Sequence, residues 1–374
     1  MSAERLRAVA WRLQRWLLNE ALPLWWERGA DHAHGGFFDR LDLVTGMPVG
    51  GATRLRVQAR QAHVYALASQ LGWSGPAEAA SRHGLAAVRA ARCDDGLYRM
   101  APYPEPLDGM GLVYDQAFVL LALASHHAAF GGETALEAEA AALADRLAEF
   151  AHPMGGYREA PGLEAPLFAN PNMHLFEAFQ AWRKTSKHER WRDLAHREAE
   201  LCMDQLIVTP GFLPEVFDAD WRAPAAPTYW PGHLYEWGFL LIEWDAVGTD
   251  FQSAERELIR IAESFGVDET RGVAIFSLSD SFAPLDKGAR LWAQTERARA
   301  CARAAITWDA PGLLDAAAQA AGAMEAFLHV PTPGLWRDWM DEDGAFREEP
   351  APASSLYHVV GAIAELTRVA RAAR

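Results

Sequence analysis

Residues 35–40 read GGFFDR, and the same glycine-plus-aromatic or aliphatic phrase returns five more times along the chain. It is DGLYRM from Asp95, GGYREA from Gly155, GFLPEV from Gly211, GVAIFS from Gly272 and GLWRDW from Gly334. Anchored on Gly36, Gly96, Gly156, Gly211, Gly272 and Gly334, the successive intervals are 60, 60, 55, 61 and 62 residues. Five intervals this similar mark an internal repeat, in which one supersecondary unit is used six times.

Each interval holds two helical patterns of different character. The patterns that precede a phrase, near 3–21, 76–92, 133–150, 188–206, 251–267 and 310–328, put Arg, Glu and Asp on one face and Ala or Leu at i, i+3 and i+4 on the other. That is the signature of a helix with one face in water. The patterns that follow a phrase, near 53–71, 110–130, 170–186, 232–248, 287–304 and 352–371, include AFVLLALA at 117–124 and WGFLLI at 237–242. These are apolar nearly all round, and such helices are buried on every side. Twelve helices alternating in this way predict an all-α fold, an (α/α)6 barrel of six helical hairpins with short β-hairpins at one end, as a single domain over 1–374. An open α-solenoid is the alternative, but its repeats usually run about 34–47 residues per helix pair.

Composition narrows the partners. The formal net charge of −15 argues against nucleic acid and against an anionic membrane surface. No segment approaches the roughly 20 apolar residues of a membrane span, and residues 1–22 lack an apolar run of signal-peptide length, so the expected location is the cytoplasm. Cys93, Cys202 and Cys301 are odd in number and far apart, which reads as reduced, half-buried thiols and not as a disulfide framework or a zinc site. The 15 Trp residues serve either core packing or stacking on a flat-faced ligand such as a sugar. There is no GxGxxG after a strand, no P-loop and no GxSxG elbow, so no nucleotide cofactor is expected.

Polar groups in the buried helices are the anomaly, because burying them is costly unless they are satisfied or used. The second helix carries Gln58, Arg60 and His63, and the fourth opens with Tyr114, Asp115 and Gln116. In the sixth, Asn170 and Pro171 read as an N-cap and N1 pair, followed by His174 and Glu177. The eighth has His233 and Glu236 one turn apart; the tenth has Arg290, Trp292, Gln294 and Glu296; the twelfth has His358. In a closed ring these helix starts would share one mouth and form a small-molecule pocket. By contrast, the HxH pair His32 and His34 lies in a loop, without the paired strands such a metal site needs. His126 and His127 sit near a helix C-terminus, where an imidazolium favours the dipole.

The phrases VQARQ, NPNMHLFEA, PGHLYEWGFLL, RLWAQTE and EPAPASSLYH together resemble the N-acylglucosamine 2-epimerase superfamily over essentially the whole chain. That group includes N-acylglucosamine, cellobiose and mannose 2-epimerases and mannose and sulfoquinovose isomerases. The resemblance implies His233 and His358 as general acid and base. It implies Arg60, Asn170, His174, Glu236 and Trp292 as substrate-binding, to which Tyr114 and Gln294 are added from their positions near the helix starts. Disaccharide epimerases of the group have a Trp five residues before the last catalytic histidine. Here that position is Ala353, which points to a monosaccharide and gives the chain the look of a mannose isomerase.

The chemistry so implied is ring opening, removal of the proton on C2 beside the C1 carbonyl, and reprotonation of a cis-enediolate. It needs no metal and no cofactor, since Arg and His supply the charge. The expected partner is a monosaccharide, and the expected assembly a monomer or homodimer. A 2-epimerase on mannose, glucose or N-acylglucosamine is the nearest alternative. A glycoside hydrolase built on Asp115 with Glu236 or Glu296 comes next, and a non-catalytic sugar- or protein-binding scaffold last.

Overall fold

The computed structural model describes residues 2–50, 53–99, 112–131, 134–160, 162–208, 212–245 and 251–372. Twelve long helices run through the described residues: α1 Ser2–Trp16, α2 Leu55–Gln70, α3 Ala77–Ala90, α4 Leu112–Phe130, α5 Thr134–Leu147, α6 Ala169–Thr185, α7 Arg190–Leu201, α8 Pro231–Asp245, α9 Gln252–Phe265, α10 Leu291–Thr307, α11 Gly312–Phe327 and α12 Leu356–Ala372. Every helix expected from the periodicity is present. Gly211 and the predicted helix ends at 110–111, 133 and 246–248 lie outside the described residues.

The chain forms two compact units. One comprises Ala30–Asp39 and Gly50–Pro227. In it α2, α4 and α6 lie side by side as a buried row, and α3, α5 and α7 cover them. The other comprises Met1–Gly29, Arg40–Val49 and Thr228–Arg374. Its buried row is α8, α10 and α12, covered by α9, α11 and α1. The division of labour follows the sequence. Every residue of α4 from Leu112 to His126 is buried, whereas α7 hides only Trp191, Ala195, Glu198, Ala199 and Leu201.

The glycine phrases form short two-stranded elements at the ends of the covering helices. Ala30 pairs with Phe37, Arg92 with Tyr98, Ala151 with Tyr157 and Val208 with Phe212, while Val267–Asp268 pairs with Val273–Ala274. The sixth phrase departs from the pattern: Trp339–Met340 pairs with Ala289–Arg290, the strand that leads into α10. Gly36, Gly96, Gly156, Gly272 and Gly334 all have φ between 70° and 90°, a left-handed conformation that L side chains rarely adopt. The repeat was visible in the sequence because the turn demands this residue.

The helix starts are tied to these turns by a recurring amide clamp. Gln58 of α2 accepts from Phe37 N at 2.7 Å and donates to Phe37 O at 2.8 Å. Gln116 of α4 does the same with Tyr98, at 2.9 Å in each direction. Asn172 of α6 engages Tyr157 at 2.7 and 3.3 Å, and Gln294 of α10 engages Ala274 at 2.7 and 2.9 Å. Each clamp satisfies a buried donor and a buried acceptor that would otherwise cost free energy. The glycines make room for it: a Cβ on Gly36 would lie 2.6 Å from Gln58 Oε1, and one on Gly156 would lie 2.9 Å from Asn172 Oδ1.

Candidate active site

The clamps fix how α2, α4, α6 and α10 are rotated, and thereby choose the residues of these helices that face away from the turns. In an α-helix, positions two residues either side of a given one lie about 200° around the axis from it and roughly share a face. The residues at −2 and +2 are Arg56 and Arg60 about Gln58, Tyr114 and Phe118 about Gln116, Asn170 and His174 about Asn172, and Trp292 and Glu296 about Gln294. All but Asn170 are members of the two polar clusters described next.

In the unit built on α8, α10 and α12, the cluster centres on Trp292. Its ring lies 4.9 Å from that of His233 on α8 and 5.7 Å from that of His358 on α12. Since α10 packs between α8 and α12, the indole stands between the two imidazoles. Gly232 makes the space, because a Cβ there would meet Trp292 Cζ3 at 2.4 Å. His233 also stacks on Trp230, at 5.0 Å and 28°.

Beneath this layer lies a charged one. His358 Nδ1 hydrogen-bonds Glu296 Oε1 at 2.7 Å. Glu296 Oε2 accepts from Arg299 Nε, and Arg299 Nη2 lies 3.4 Å from Glu236 Oε1. Glu236 and Glu296 are wholly buried, and His358 is 8% exposed. Deeper again, Arg303 joins Glu243 to Glu365, and Arg368 also bonds Glu365. Burial alone would push the Glu365 carboxyl up, but Arg303 and Arg368 hold it below its ordinary value.

In the unit built on α2, α4 and α6, the cluster has fixed positive charge in place of a histidine pair. Arg60 Nη2 donates to Tyr114 Oη at 2.8 Å, and its guanidinium lies 4.1 Å from the Phe118 ring centre. Arg56 Nη1 is 3.6 Å from Asp115 Oδ1. His174 packs against Phe118 at 4.5 Å and Tyr114 at 5.2 Å, with its Nδ1 3.2 Å from Glu177 Oε2.

Seven of the nine residues expected at the site, His233, His358, Arg60, Tyr114, His174, Glu236 and Trp292, thus fall in the two clusters. Gln294 does not: its amide is spent on Ala274 and on Arg290 O, so it is a structural clamp and not a ligand for substrate. Asn170 is not the N-cap of α6. The helix starts at Ala169 after an extended Phe168 without a side-chain cap, and Asn172 Nδ2 donates to Phe168 O at 2.9 Å. Pro171 is tolerated because the first-turn N–H groups have no helical partner in any case. The buried Oδ1 of Asn170 meets no hydrogen-bond partner among the described residues, which leaves an acceptor available there.

Outside the clusters, His34 is exposed and bonds Asp31, and His126 bonds Ser81 at 2.9 Å. Cys93, Cys202 and Cys301 are free thiols, the last two fully buried and not half-buried as expected. No described helix is long and apolar enough to cross a membrane. Sequence reasoning missed Arg56, Phe118, Trp230 and Arg299. The ±2 spacing about each amide would have found the first two.

An imidazole bonded to a buried carboxylate, a second imidazole and an indole platform, all on buried helices, are groups that a sugar isomerase or epimerase would use. The chain belongs to the N-acylglucosamine 2-epimerase (GlcNAc 2-epimerase) family, whose model matches residues 36–362. It is 39% identical over 376 residues to a mannose-6-phosphate isomerase of Rhizobium meliloti (strain 1021), covering 96% of both chains. It is 31% identical over 309 residues to a D-mannose isomerase of Thermobifida fusca, covering 73% of both. Among solved structures, cellobiose 2-epimerase from Spirochaeta thermophila superposes with a TM-score of 0.83 at 22% identity, covering 98% of both chains. The all-α (α/α)6 barrel of that structure is the fold of this chain.

Proposed function

We propose that this chain interconverts a free aldose and its ketose, D-mannose and D-fructose, through a cis-enediolate. The observation that carries the reading is the bond from His358 Nδ1 to Glu296. A buried carboxylate there accepts the Nδ1–H, which fixes the tautomer and makes Nε2 the basic nitrogen. Imidazole in water titrates near pH 6.5, suited to taking a proton from carbon beside a carbonyl at neutral pH. His358 removes the C2 proton of the open-chain sugar, exchanges it with solvent and delivers a proton to C1, while a proton passes from O2 to O1. His233 serves ring opening, and Trp292 offers a flat apolar face to the sugar. Arg60, Tyr114, Asn170 and His174 are proposed to bind sugar oxygens, with Arg60 the permanently charged donor for the enediolate.

Two observations refine the substrate and cofactor. Around His233 and His358, Arg299 is spent on Glu236 and Glu296, and Arg290 on Asp338. That pairing favours an unphosphorylated hexose. Glu236, Glu296 and His358 have ligand atoms within 4.8 Å of one another, but Arg299 already supplies the cation that would neutralise them. Activity is therefore expected to survive EDTA. The enzyme is proposed to work in the cytoplasm as a monomer or homodimer.

A second reading, 2-epimerisation, is favoured by one feature: α8 and α12 place an imidazole on either side of Trp292, as delivery to the opposite face of C2 requires. Incubation with D-mannose in D₂O, followed by NMR, separates the two. Fructose carrying deuterium at C1 is the expected product. Glucose deuterated at C2 would replace the first reading by the second, and absence of exchange at either carbon would sink both. Mannose 6-phosphate, run in parallel, is expected to turn over with the lower kcat/KM.

A further inference from the structure

We infer that Arg299 is a positioning residue for the proton transfer, holding Glu296 in the orientation and the ionised state that make His358 a base through Nε2. The inference rests on the reading of His358 given above and deepens it. The two oxygens of Glu296 have separate employment: Oε1 accepts from His358 Nδ1 at 2.7 Å, and Oε2 accepts from Arg299 Nε. A carboxylate held at only one oxygen is free to swing about its last torsion. Held at both, it presents Oε1 to the imidazole in one geometry.

Charge makes the second half of the case. Glu236 and Glu296 are both buried, with carboxylate oxygens within 4.8 Å of each other. Two such groups resist simultaneous ionisation unless a cation lies between them. A protonated Glu296 would carry a donor and would no longer dictate which imidazole nitrogen holds the proton. Arg299 reaches both carboxylates, and a guanidinium does not lose its proton in a protein. The other charged or titratable groups of this stack described above are His233 and Glu243 from α8, Arg303 from α10, and His358, Glu365 and Arg368 from α12.

The space around Arg299 is shaped for a planar group. Its guanidinium carbon lies 4.5 Å from the Phe239 ring centre, and the residue is 5% exposed. Gly361 of α12 lies alongside it, where a Cβ would sit 3.4 Å from Arg299 Nη1, in ordinary contact. A lysine keeps the charge but cannot present Nε to one carboxylate and Nη2 to the other.

The test is a double-mutant cycle on D-mannose turnover with Arg299→Gln, Arg299→Lys, Glu296→Gln and the two double variants. Arg299→Gln is expected to lower kcat about 10- to 100-fold, the usual cost of removing a group that orients a catalytic side chain. KM should move less than about threefold, and Arg299→Lys should recover part of the lost kcat. In the Glu296→Gln background either Arg299 substitution is expected to cost less than about threefold more, because the group it acts through is gone. Wild-type kcat in Arg299→Gln beside a loss in Glu296→Gln overturns the inference, and so does a loss that multiplies in full in the double variants. If Arg299→Gln does not fold by circular dichroism, Arg299→Lys alone is carried through the cycle, with an additive loss or no loss overturning the claim. Failure of the parent reading shows separately, as a wild-type protein that exchanges no proton on mannose.

Discussion

The two buried rows are built alike and equipped differently. Both attach helix starts to glycine turns through amide clamps, Gln58, Gln116 and Asn172 in one row and Gln294 in the other. In both, positions two residues either side of a clamp carry members of the polar cluster. On that shared frame the row of α2, α4 and α6 gathers Arg56, Arg60 and Tyr114, while the row of α8, α10 and α12 gathers His233, His358 and the carboxylates behind them. The difference teaches that clamp and function are separable: one sets the phase of a helix, and the other is written onto the face that the phase exposes.

The sharpest way to break the comparison is to remove the base. His358→Ala is expected to lower kcat about 10²- to 10⁴-fold without changing the melting temperature by more than a few degrees, measured by mannose turnover and thermal denaturation. Retention of more than about one percent of activity would falsify its assignment as the base. On the other row, Arg60→Ala is expected to reduce kcat/KM roughly 10²-fold, the scale of losing one preorganised donor to a developing oxyanion. An Arg60→Ala enzyme with full kcat/KM would leave that row without its proposed share of the chemistry.

A clamp substitution should do the reverse of a site substitution. Gln294→Leu and Gln116→Leu each strand a buried N–H and a buried C=O, at roughly 1–3 kcal/mol per group. Both should lower the melting temperature while keeping most of kcat below the transition. If Gln294→Leu instead raised KM for mannose and left stability intact, Gln294 would belong to the site after all.

The smallest effect concerns how each row's unit treats a buried acid. Burial pushes Glu198 of α7 well above its ordinary value, and Glu198 Oε2 has no hydrogen-bond partner among the described residues. Burial also acts on Glu263 of α9, but Arg297 overrides it and holds that carboxyl low. Because the folded state keeps a proton on Glu198 that the unfolded state releases above about pH 4.5, this group costs stability as pH rises past that value. Glu198→Met should therefore melt higher than wild type at pH 8, with the gap closing toward pH 4. A gap that is constant with pH would show that Glu198 does not titrate differently on folding.

Much of this was legible beforehand because the repeat and the helix faces rest on local rules. Glycine is demanded by the positive φ at Gly36 and its equivalents, and the all-round apolar run in α4 could only be interior. His233, His358 and Trp292 stood out as polar or amphipathic groups at helix starts. What escaped the sequence was rotation. Gln294 and Trp292 are two residues apart, and nothing in their order says which faces the turn and which the imidazoles. Arg299 and the pairing of Glu296 with His358 were hidden for a related reason: the partners Glu236 and His358 lie about sixty residues away in sequence.

The amide clamp has a bearing on how such a protein changes. A residue that locks a helix by gripping backbone is indifferent to the side chains it grips, so the frame tolerates replacement on the opposite face. Replacing Trp292 or Arg56 would then change the fitting and leave the mount in place. A library restricted to the flanking positions other than Arg60 and Glu296, with the four clamps untouched, is where a new sugar preference should be sought.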